Sequence, residues 1–151
     1  MPCGRKSGRK VIEASVDLEP LLVDSDYELA FRRIGGLKRS LVFVLTDLIE
    51  PAATQPLLDA VAYLARRHVV VVASVDDPDL LLLAGGPRSV NGDHAAIDVA
   101  RTRLASDFLN DRDSAARQLR GLGALVVMAP PDRFAASMVD AYLRTKRLAR
   151  L

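Results

Sequence analysis

Three stretches of the chain are apolar without alternation: Leu41–Leu45 (LVFVL), Val69–Val75 (VVVVASV) and residues 125–128 (LVVM). Short continuous runs of this kind, rich in β-branched side chains, predict strands buried on both faces of a parallel sheet. Between them the apolar positions recur at helical spacing. After Pro51, Leu57, Leu58, Val61, Ala62, Leu64 and Ala65 form a stripe that ends at Arg66-Arg67-His68. Proline suits the first helical turn, where its missing donor has no partner to lose. Strands joined by about a dozen helical residues are expected to be parallel, with right-handed crossovers.

The flanking segments extend the pattern. Asp24-Ser25-Asp26 reads as a helix start, followed by Tyr27, Ala30, Phe31 and Ile34 at helical spacing and by Gly35-Gly36 as a stop. Leu80 to Leu83 is a short apolar run closed by Gly85-Gly86-Pro87, and Asn91-Gly92-Asp93 marks a turn before a long helical segment at residues 94–122. A bend is expected in that segment at residues 106–113, where Ser, Asp and Asn are concentrated. A closing helix carries Phe134, Met138, Ala141, Tyr142 and Leu148 on one face. Residues 1–10 lack periodicity and are rich in Gly, Lys and Arg, which predicts a flexible basic arm. Residues 11–23 show no clean period and suit a short strand or a crossover segment. The expected fold class is α/β: one domain over residues 11–151, three layers, with a mainly parallel sheet of about three strands and flanking helices. That is half of a usual doubly wound sheet.

Composition narrows the partners. The 151 residues are 50% hydrophobic and 26% charged, which is ordinary globular usage. Aromatics are only 5% and Trp is absent, so the core must be built from Leu, Val, Ala and Ile, with no platform for stacking nucleic-acid bases. The net charge is +2, and the basic residues gather near helix ends, where they complement the helix dipole. Nucleic acid is therefore not the expected partner. Cys3 is the single cysteine, which fits a reducing compartment. No apolar run approaches the ~20 residues of a membrane span, and no apolar core of a signal peptide follows the basic start. The expected location is cytoplasmic.

The candidate chemistry lies just after the strands. Thr46, Asp47 and Glu50 follow the first, and Asp76, Asp77 and Asp79 follow the second. Ligands of parallel sheets bind outside the carboxyl ends of the strands, and carboxylates with hydroxyls are what Mg²⁺ takes. Acids after strands also cap the helices that follow, so both roles are open for these residues. A hydrolase arrangement of Ser74 with His68 or His94 is not expected. No Gly-x-Ser-x-Gly surrounds any serine, and His68 precedes its strand while Ser74 ends it. Gly85-Gly86-Pro87-Arg88 matches neither phosphate-binding pattern, and no Cys/His cluster offers a structural zinc site.

The stretches VDLEPLLVDSDYELAF, LVFVLTDLIEPAATQPLLDAVAYLARRHVVVVASVDDP and GALVVMAPPDRFAASMVDAYLRTK, taken together, resemble the C-terminal half of bacterial proteins of the domain of unknown function 58 family, whose fold is of the von Willebrand factor type A kind. The resemblance implies a type A domain that lacks its first three strands. That fold's metal-ion-dependent adhesion site uses an Asp-x-Ser-x-Ser loop, a Thr and a late Asp. Ser25 stands at the Thr position and Asp47 matches the last piece, while the Asp-x-Ser-x-Ser loop is missing, so any Mg²⁺ site of Ser25 and Asp47 would be incomplete. The resemblance further implies a non-enzymatic protein-interaction or adaptor role beside a MoxR-type AAA+ ATPase. Without the first strands, Leu41–Leu45 would be an exposed apolar edge, open to such a partner or to a second copy in a homodimer. The alternative is a small ligand-binding or hydrolytic domain using Asp47 and Asp76 in the carboxyl-end crevice.

Overall fold

The structure is a computed structural model that describes residues 5–19, 21, 26–48, 51–86 and 95–147. In chain order its elements are α1 (Arg5–Ser15), α2 (Tyr27–Gly35), β1 (Leu41–Leu45), α3 (Pro51–Leu64), β2 (Val69–Val75), α4 (Pro78–Ala84), α5 (Ala95–Gly121), β3 (Leu125–Ala129) and α6 (Pro131–Arg147). The strands form one parallel sheet in the order β1-β2-β3, with Phe43 opposite Val71 and Val71 opposite Leu125. The α/β class and the three parallel strands flanked by helices are as the hydrophobic pattern predicts.

The two faces of the sheet are covered unequally. On the first, Val42, Val44, Val70 and Val72 pack with Leu57, Leu58, Val61 and Leu64 of α3, Leu119 of α5 and Phe31 of α2. On the second, Val71, Ala73 and Val127 meet α6 through Phe134, Met138 and Ala141. A helix is about 10–12 Å across and strands lie about 4.8 Å apart, so one helix shields roughly two strands. β1 is the strand left over. Val42 and Val44 are buried, whereas Phe43 is 37% and Leu45 66% exposed. The expectation that β1 is buried on both faces is therefore corrected: only β2, in the centre, has a near-continuous buried run.

Two further expectations change. Within the stretch expected as a flexible arm, residues 5–10 are helical and continue into residues 11–15 as α1, while residues 1–4 lie outside the described residues. Lys, Arg, Glu and Ala are good helix formers, and Arg9 pairs with Glu13 one turn on at 2.7 Å. Residues 8–19 are all exposed, so local propensity rather than packing supports this helix. The Leu80–Leu83 run lies in α4, which packs on α5. The expected bend does not interrupt α5, a single helix of 27 residues. Its polar middle stays helical because Ala105, Arg112, Ala115, Ala116 and Leu119 form a buried stripe, and Ser106 Oγ donates to the Thr102 carbonyl at 2.9 Å rather than competing elsewhere.

Candidate functional site at the carboxyl ends of the strands

Parallel strands bring their carboxyl ends to one edge of the sheet, and the ladder continues slightly past the strands there. The Thr46 N–H donates to the Ala73 carbonyl at 3.0 Å, and the Asp76 N–H to the Ala129 carbonyl at 2.8 Å. Ser74 is buried, and its Oγ donates to the Asp47 carbonyl at 3.0 Å. That bond ties the segment after β1 to the end of β2. Leu48 then adopts φ +58°, a left-handed conformation that costs a non-glycine residue about 1–2 kcal/mol. Its side chain is 4% exposed within the core of the first face, and that burial offsets the strain.

The acids that follow the strands are occupied in different ways. Asp76 accepts from Arg112 Nη2 of α5, and the Arg112 side chain is 3% exposed against 21% for Asp76. A guanidinium this deeply buried needs a counter-charge, because its desolvation would otherwise cost several kcal/mol. Arg112 Nε is buried without a hydrogen-bond partner, so the pairing is through the outer nitrogen alone. Asp77 is the N-cap of α4: its Oδ1 accepts from the Asp79 N–H at 2.9 Å and the Leu80 N–H at 3.4 Å. Asp79 sits in the first turn of that helix, where a negative charge complements the dipole. Asp47 is exposed and Thr46 half-buried. Ser25 and Glu50 lie outside the described residues.

This arrangement does not fit a magnesium site built from the acids of the two strand ends. Asp76 is committed to a guanidinium that itself opposes a cation, and Asp77 to a helix cap. Among the described residues no group of three or more His, Cys, Asp or Glu could hold a metal ion. A serine–histidine pair is also absent from β2. His68 sits before the strand, its Nδ1 accepting the Ser40 N–H at 3.3 Å, while Ser74 lies six positions on, about 20 Å away along an extended chain. His94 lies outside the described residues. Gly85 closes α4 through its N–H to the Leu81 carbonyl, which makes the start of the glycine stretch a helix cap. Pro87 and Arg88 lie outside the described residues.

Arg112 is the residue that the sequence reading did not single out. Its signal was the helical spacing of Ala105, Arg112, Ala116 and Leu119, which places Arg112 on the buried stripe of α5 among small residues that leave it room. A groove between α2 and α3, lined by Phe31, Arg32, Pro56, Asp59, Ala60 and Tyr63, includes none of the carboxyl-end acids.

The chain matches no family model, no curated protein and no solved structure. Among the described residues no helix is long and apolar enough to cross a membrane.

Proposed function

We propose that this chain is a cytoplasmic protein-interaction module that binds another protein chain along β1, and that it is not an enzyme. The observation that carries this reading is the state of β1: an edge strand whose Phe43 and Leu45 side chains are 37% and 66% exposed, beyond the part of the second face where α6 packs. An open apolar edge strand is a template for adding a strand from another chain. Of the acids that would serve an enzyme, Asp76 is held by Arg112 and Asp77 caps α4, while Asp47 is exposed. In the terms of the resemblance, the partner on this edge is a MoxR-type AAA+ ATPase or a second copy of the chain.

The test compares the purified chain with a Phe43→Lys/Leu45→Lys variant, alone and mixed with a MoxR-type ATPase, by sedimentation and circular dichroism. The expected outcome is association by the parent, with itself or with the ATPase, and none by a variant that melts with the same cooperativity. Nucleotide binding or hydrolysis by the chain, abolished by Asp47→Ala, would overturn the reading in favour of a ligand-binding crevice.

A further inference from the structure

We propose that a second copy of this chain completes the sheet, its β1 running antiparallel to the first β1 about a two-fold axis at Phe43. The proposal rests on reading the β1 edge as an interaction surface, and adds the partner's identity and the register.

The backbone sets which groups are on offer. The Ser40 carbonyl accepts from the Val69 N–H at 2.9 Å, and the Thr46 N–H donates to Ala73 at 3.0 Å. In a parallel ladder the N–H and C=O of one residue point the same way, so the even-numbered residues of β1 turn toward β2. Leu41, Phe43 and Leu45 therefore turn both backbone groups outward. An antiparallel neighbour can exchange paired bonds with such residues when odd positions face odd positions. That condition places the axis on a residue rather than between two.

The side chains then choose the residue. The segment Arg39-Ser40-Leu41-Val42-Phe43-Val44-Leu45-Thr46-Asp47 is a chemical palindrome about Phe43. Reversed on itself, it sets Phe43 against Phe43, Val42 against Val44 and Leu41 against Leu45 within the strands, and it brings Arg39 and Ser40, just before β1, toward Asp47 and Thr46, just after it. A two-fold interface repeats each unlike pair twice, so the two ends of the strand carry one guanidinium–carboxylate pair each. Arg39 and Asp47 are both exposed. Moving the axis to Val42 or Val44 would break this match, setting Arg39 or Asp47 against a leucine.

Phe43 and Leu45 also project beyond the part of the second face that α6 covers, with Leu41 half-buried beside that cluster, so the same register joins the two exposed apolar strips. The outer edge of β3 is a poorer candidate. The Ala129 carbonyl bonds to β2, which turns the even positions of that strand outward, and Pro130, lacking an N–H, falls in the outward set. The assembly is a six-stranded sheet, two copies of three, with both β1 strands at its centre.

The test is light scattering of the purified full chain from low to high micromolar concentration, with circular dichroism to confirm folding. The expected mass is about 33 kDa, twice the 16.4 kDa of one chain. Arg39→Asp and Asp47→Arg alone each set like charges against each other twice and should weaken the dimer about tenfold or more. Arg39→Asp combined with Asp47→Arg restores opposite charges and should restore the dimer. A parent that stays monomeric, single variants that dimerise like the parent, or a double variant that does not recover would each overturn the proposal. If the parent is monomeric but binds the ATPase through Phe43 and Leu45, the dimer falls and the interaction reading stands. If it binds neither, both fall.

Discussion

The Arg112 guanidinium of α5 donates to the Asp76 carboxylate at the end of β2, joining residues 36 positions apart in the chain. This contact pins the middle of the longest helix to the edge of the sheet where an active site would stand. It turns an apparent catalytic acid into a fastening.

Replacing Arg112 with Leu leaves the Asp76 carboxylate without its partner and should cost about 3 kcal/mol or more. Adding Asp76→Leu to Arg112→Leu should recover most of that loss. Urea unfolding of the four proteins closes the cycle, and two independent losses that simply add would show that the pair is not coupled.

Asp77→Ala removes the cap of α4 and should cost about 1 kcal/mol, whereas Asp77→Ser keeps an acceptor and should cost less. Amide exchange at Asp79 and Leu80 is the local readout, since both donate to Asp77. Unchanged exchange at these two amides in the alanine variant would argue against the cap.

Leu64 is fully buried and Leu45 is 66% exposed, so the same truncation should have very different effects. Leu64→Ala is expected to lose about 2–5 kcal/mol. Leu45→Ala, measured at a dilution where chains are separate, should change stability by about 0.5 kcal/mol or less. Equal losses would mean that β1 is covered on its second face.

Millimolar Mg²⁺ should leave the melting temperature unchanged. An ion that binds the folded chain raises it, and Asp76 and Asp77 after β2 are already engaged. A rise that disappears in Asp47→Ala would place an ion at that residue.

His68 accepts the Ser40 N–H on Nδ1, which puts the proton of the neutral ring on Nε2. Nitrogen chemical shifts of labelled His68 should report that tautomer. Loss of the Ser40 bond in His68→Phe should speed exchange of the Ser40 amide, at the start of β1.

The strands, α3 and α6 were legible because each carries a period or a continuous apolar run that only one kind of element can bury. α1 was not, since its sequence has no apolar period and folds on propensity and an i,i+4 ion pair. The polar middle of α5 looked like a bend because Ser, Asp and Asn are poor helix formers on their own. Packing overrode that preference through Ala105, Ala115, Ala116 and Leu119. At the candidate site, the position of Asp47, Asp76 and Asp77 followed from the order of strands and polar residues.

The sequence by itself determined the class of fold and the edge at which the acids would gather, because strand and helix periods depend on neighbours along the chain. Only the tertiary structure decided what each acid does and which strand face stays bare. Those outcomes depend on distant partners: Arg112 reaching Asp76, Ser74 reaching the Asp47 carbonyl, and a single helix too narrow to cover three strands.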